Sequence, residues 1–71
     1  MSTSYHVLRA GDGEVLALFR LRRTPGELHT ESWRAGQGWV EDAAAADVYR
    51  NGQDYELLTE AEAAALVAEL E

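Results

Sequence analysis

The sequence contains no cysteine, no lysine, no isoleucine and a single proline. Without cysteine there are no disulfides, no thiolate metal sites and no cysteine nucleophile. No apolar run approaches the roughly 20 residues needed to cross a bilayer as a helix. The opening Met1-Ser2-Thr3-Ser4 has neither a basic nor an apolar signal region, and a cytoplasmic protein without membrane contact is expected. The absence of lysine leaves arginine as the only cation, six in all, and with twelve alanines this composition points to a GC-rich genome.

What is present is enough for one small core. Nine Leu, five Val and six aromatic residues in 71 positions suit a single domain, 1–71, and are too many for a disordered chain. A core of this size gives only a few kcal/mol of net stability, so self-association is a reasonable expectation. Charge is distributed unevenly. Residues 1–40 carry five Arg against four acids, whereas residues 41–71 carry Arg50 against nine acids, which together give the net charge of −7. A pI near 4.6 opposes general nucleic-acid binding but leaves room for a local basic patch.

Residues 1–4 read as a flexible N-terminus and 5–40 as an antiparallel β-meander. Tyr5–Arg9 and Val15–Arg22 flank Gly11-Asp12-Gly13, which is strong hairpin-turn chemistry. Thr24-Pro25-Gly26-Glu27 suits a type II turn, with Pro and Gly at its two central positions. Leu28–Trp33 returns as a third strand, and Ala35-Gly36-Gln37-Gly38 allows a further reversal into Trp39-Val40.

Residues 41–71 read as an acidic helical half. Glu41 or Asp42 can cap a short helix through the tetra-alanine to Arg50, with Ala45, Val48 and Tyr49 on one side and Gly52 as its stop. Asp54–Leu58 is extended or loop-like. Thr59-Glu60-Ala61-Glu62 has the capping-box pattern, and the helix it opens should bury Ala63, Leu66, Val67 and Leu70. The expected fold is α+β: a three- or four-stranded antiparallel meander followed by two short helices packed on one face. Its core candidates are Leu16, Leu18, Phe19, Leu21, Leu57, Leu66, Val67 and Leu70 with at least one tryptophan.

Three constellations could carry function. Trp33 and Trp39 bracket a glycine-rich turn and either form a cross-strand core pair or an aromatic platform. Arg20, Arg22 and Arg23, which Arg9 and Arg34 could join, form the only cationic cluster, either an anion site using the guanidinium fork or a solvated face paired with the acidic half. His6 and His29 could share a sheet face but lack metal-ligand spacing, so no metal or cofactor is expected. Neither a nucleophile elbow, nor a P-loop, nor a dinucleotide fingerprint occurs, and enzymatic activity is not expected.

The phrases Tyr5–Gly13, the W-x-x-x-x-G-W stretch Trp33–Trp39 and Asp54–Ala63 resemble a group of short proteins from actinobacteria and their phages. The resemblance implies a compact β-then-α domain and transfers no catalytic or ligand residue. The leading functional expectation is a non-enzymatic protein-interaction module, with a protein partner or a second copy of the chain bound through Arg20, Arg22, Arg23, Trp33, Arg34 and Trp39. The alternatives are a nucleic-acid-binding accessory protein with a Trp platform on an Arg-rich face, and an acidic decoy that imitates DNA.

Overall fold

The computed structural model describes residues 2–71. Five strands form one sheet: β1 (Ser2–Arg9), β2 (Val15–Thr24), β3 (Glu27–Arg34), β4 (Gly38–Glu41) and β5 (Glu56–Leu58). The strand order is β4-β3-β2-β1-β5, and every pairing is antiparallel. Two 3₁₀ segments, Ala43–Tyr49 and Gly52–Asp54, connect β4 to β5, and one α-helix, α1 (Glu60–Leu70), ends the chain. The α+β class holds, and β1–β4 are the expected meander.

The turns act as their residues dictate. Gly26 has φ +84°, the positive value that the third position of a type II turn requires. With two residues at its tip, this turn fixes Thr24 opposite Glu27 and every later pair of β2 and β3. The β1–β2 connection closes through Gly13 N–H donating to Ala10 O at 2.9 Å, and the register slips between Leu8 and Arg9. That bulge turns Leu16 outward to 59% exposure, although Leu18 two residues later is buried.

Strand alternation builds two cores, one on each side of the sheet. Leu18 with Val7 and Leu58 packs under Ala63 and Leu66 of α1, on what we term the front face. Phe19 and Leu21 pack with Ala45 and Val48 of the first 3₁₀ segment, on the back face. The two helical segments therefore lie on opposite faces, not together on one. A single cover would have left the apolar run Val15–Phe19 half solvated, because consecutive strand residues point to opposite sides.

Several sequence expectations are corrected at this level. Ser2–Ser4 are paired strand residues, opposite Arg23–Leu21, rather than a flexible N-terminus; Met1 of that stretch lies outside the described residues. The half 41–71 is not wholly helical, since Glu56–Leu58 adds a fifth strand beside β1. Within it Leu58 is buried while Leu57, a core candidate, is 68% exposed on the back side of the sheet edge. The tetra-alanine helix is 3₁₀ rather than α, and three residues per turn stack Ala45 directly over Val48. The same period rotates Tyr49 away from that face and leaves it exposed. Asp42 is its cap, accepting from Ala44 N–H at 2.9 Å. Its final cap is Arg50, and Gly52 opens the second 3₁₀ segment instead of stopping the first.

Helix α1 follows its sequence closely. Thr59 Oγ1 accepts from Glu62 N–H at 3.1 Å, and Glu62 Oε1 accepts from Thr59 N–H at 2.9 Å. Ala63 and Leu66 are buried, with Val67 and Leu70 packed at the margin of the front core.

Candidate interaction surface

The front face carries the aromatic and charged residues that the sequence singles out. Trp33 pairs with Trp39 across β3 and β4, and their ring centroids lie 5.6 Å apart at 68°. Tyr5 of β1 lies 5.9 Å from Trp39, and the Arg20 guanidinium sits 4.6 Å over the Trp39 ring. The tryptophans are a cross-strand pair that packs against the front core, and each retains partial exposure. The Trp33 Nε1–H is enclosed without an acceptor among the described residues.

Glu31 organises the charges. Arg20 Nε donates to Glu31 Oε1 at 2.9 Å and Arg22 Nε donates to the same oxygen at 2.7 Å. Arg22 Nη2 reaches Oε2 at 3.3 Å. Glu31 is only 8% exposed, and its carboxyl is held below the usual range. The hydrogen bond from Arg20 is the largest cause, partly opposed by burial and reinforced by Arg22. Arg20, packed on Trp39, has a side chain 20% exposed; that of Arg22 is 41% exposed.

The remaining arginines are elsewhere. Arg34 donates to Asp42 Oδ2 at 3.1 Å, and Ser32 donates to the same oxygen at 3.0 Å. The Asp42 carboxyl is accordingly lowered, first by Ala44 N–H and then by Ser32. Arg23 projects from the back face and donates to the Tyr49 hydroxyl at 3.4 Å. The candidate residues therefore divide: Arg20, Arg22, Trp33 and Trp39 come together, while Arg23 and Arg34 do not join them. His6 lies opposite Phe19 on the back and His29 opposite Arg22 on the front, so the two histidines do not share a face.

Sequence reasoning overlooked Glu31. The signal was available, because counting back from the Pro25-Gly26 turn puts Arg20 opposite Glu31 and Arg22 opposite His29. One of the two readings of the arginines has them pair with acids of residues 41–71. That holds for Arg9 with Glu56 and for Arg34 with Asp42, but not for Arg20 and Arg22. A scan against protein-family models finds no match, and searches of the curated proteins and of the solved structures likewise find none.

Proposed function

We propose that this chain is a small non-enzymatic protein-interaction module, and that its contact surface is the front face centred on Arg20, Arg22 and Trp39. One observation carries the reading: a Trp–Arg–Glu–Arg group is held rigidly in place while Arg22 and Trp39 stay partly open to solvent. Arginine and tryptophan dominate the energetics of protein interfaces, and side chains already fixed by neighbours lose less entropy on binding. The covering helix packs over β1 and β5, while Arg22 stands on β2 of the same face with its side chain 41% exposed.

The nucleic-acid alternative receives less support from this arrangement. It needs the arginines to converge with an aromatic between them, but Arg23 and Arg34 lie apart from Arg20 and Arg22, and three of these four face a carboxylate. The acidic decoy needs carboxylates arrayed outward like phosphates. Asp42, Asp47, Glu56 and Glu62, out of nine acids in residues 41–71, are committed to internal hydrogen bonds.

The test is affinity capture of the tagged protein from its host, with and without nuclease, beside an Arg22→Ala variant. A protein partner retained after nuclease and lost with Arg22→Ala is the expected result. Partners that vanish with nuclease, or that ignore the variant, overturn the reading. Self-association through the same surface is tested by light scattering at low and high salt, where a doubling of the 7.8 kDa mass that Arg22→Ala reverses identifies a dimer.

A further inference from the structure

The back face has a second feature that the front-surface reading does not use. Strand β5 covers only Tyr5–Val7 of β1, and the chain leaves the sheet at Thr59. The outer edge of β1 at Ser2–Ser4 therefore has no strand partner among the described residues. An unpaired edge of this kind is a template for a further strand. The space that a continuation of β5 would occupy is a notch of about 410 Å³, bordered by Thr3, Tyr5, Leu57, Leu58 and Glu60.

Beside this edge, on the back of the sheet, lies a groove of about 410 Å³. Its floor is low at Ser2 and Ser4 of β1, with His6 beyond them 3.0 Å from the Ser4 hydroxyl, and its walls are Leu21, Val48, Tyr55 and Leu57. Leu57, 68% exposed, and Tyr49, 54% exposed, are apolar rims of this groove. The groove is also free of acids: none of its lining residues is Asp or Glu, in a chain with 13 of them. Asp47, behind the wall residue Tyr55, has its carboxylate bound to the Tyr55 hydroxyl at 2.8 Å and the Asn51 amide at 2.8 Å. Arg23 lines the groove, and it forms no ion pair among the described residues.

The register says what would fit. Ser4 lies opposite Leu21 and Ser2 opposite Arg23. A strand added outside β1 would send its back-facing side chains over these two serines. The one crossing Ser4 meets Leu21 and Val48; the one crossing Ser2, two positions away, meets Arg23. On the front side of the notch Glu60 would repel an acid, so the acidic side chain is directed to the back.

We propose that this edge and groove bind an extended peptide carrying a large apolar residue and an Asp or Glu two positions apart, which adds to the sheet beside Ser2–Ser4. The peptide backbone pairs with the open edge, the apolar side chain fills the groove, and its carboxylate meets Arg23. This site is distinct from the front surface, and Arg23 makes it locally cationic in an otherwise strongly acidic molecule, complementary to the peptide's carboxylate.

The probes are the blocked peptides Thr-Leu-Thr-Glu-Thr and its reversal Thr-Glu-Thr-Leu-Thr, titrated into the isotope-labelled protein while amide shifts are followed. One of the two should give saturable shifts centred on Ser2–Tyr5, Arg23 and Leu57. Replacing its Glu with Gln, or Arg23 with Ser, should weaken binding about tenfold, the effect of losing one charge-assisted contact. Thr-Leu-Glu-Thr-Thr, which puts leucine and acid on opposite sides of a strand, should bind no better than the Gln peptide. Ser4→Leu, which fills the groove floor, should abolish the shifts while thermal unfolding shows the fold retained. Absence of saturation with both orientations at millimolar peptide overturns the proposal, as does equal binding by the adjacent Leu-Glu peptide or an unaffected Arg23→Ser variant. Arg22→Ala should leave peptide binding unchanged; if it abolishes binding, the peptide sits on the front face and the present site is wrong. Partner capture that ignores Arg22→Ala while the peptide still binds would, conversely, overturn only the front-surface reading.

Discussion

Replacing Glu31 with Gln should be among the most damaging conservative changes in this protein. The substitution keeps the shape and removes the charge shared by Arg20 and Arg22. Removing one partner of a fully buried pair costs about 3–5 kcal/mol, because the other charge is left uncompensated. Here the two arginines differ. Arg22 is 41% exposed and can turn to solvent, whereas Arg20 is 20% exposed and pinned over Trp39. The loss is therefore below the fully buried figure, about 2 kcal/mol, which in a chain of this length lowers the melting temperature by roughly 8–16 °C. Arg20→Ala should cost a similar amount, since it leaves the buried carboxylate to the more exposed Arg22 alone and uncovers the Trp39 ring, while Arg22→Ala should cost less than about 1 kcal/mol. Urea unfolding followed by tryptophan fluorescence measures all three, with Trp33 and Trp39 as reporters beside the site. A Glu31→Gln cost below 0.5 kcal/mol, taken as about the size of an ordinary surface change, would refute the view that Glu31 organises the front face. An Arg22 variant as damaging as the Arg20 variant would refute the ranking by exposure.

Acid should destabilise the fold in two stages. Burial holds His6 below its ordinary value of 6.5, so the unfolded chain takes up that proton first, and stability complete above this value declines as pH falls beneath it. The Glu31 carboxyl, lowered from 4.5 chiefly by the Arg20 hydrogen bond, contributes stability above 4.5 that is lost as pH falls further. Urea midpoints at pH 7.5, 5.5 and 3.5 should decrease in that order, and His6→Gln should remove the first decrease only; a flat profile would contradict both. In the apolar run of β2, Leu18→Ala should cost about 2–5 kcal/mol and Leu16→Ala less than about 0.5, because the first is 3% and the second 59% exposed. Equal costs in denaturant titrations would mean that the bulge does not turn Leu16 outward. Thr59→Ala should cost about 1 kcal/mol by removing the cap of α1, and helical circular dichroism should fall with it. A variant as stable and helical as the parent would show that packing alone starts this helix.

Much of the architecture depended on short-range chemistry and was legible for that reason. The Gly11-Asp12-Gly13 and Pro25-Gly26 turns, the alternation along β2 and the Thr59–Glu62 capping box each act over a few residues. The capping box needs nothing beyond its own four positions, and the structure reproduces both of its bonds. Glu31 lay at the limit of this legibility: two residues of turn geometry were enough to pair it with Arg20, provided the register was counted outward. What lay beyond was set by contacts between distant segments. Asp54–Leu58 has no strand pattern strong enough to declare itself, and Glu56–Leu58 becomes a strand because the edge of β1 is there to pair with it. The same event decides that Leu58 is core and its neighbour Leu57 is not. Tetra-alanine is compatible with an α-helix, yet the segment winds as 3₁₀ because that period brings both Ala45 and Val48 onto Phe19 and Leu21. The arginines could be assigned to strands but not to sides until the covers were known, and the covers lie on opposite faces because β2 is apolar on both. The sequence alone determined where the chain turns and which runs are strands or helix; the tertiary structure decided which side each run faces, because a side chain's surroundings come from residues tens of positions away.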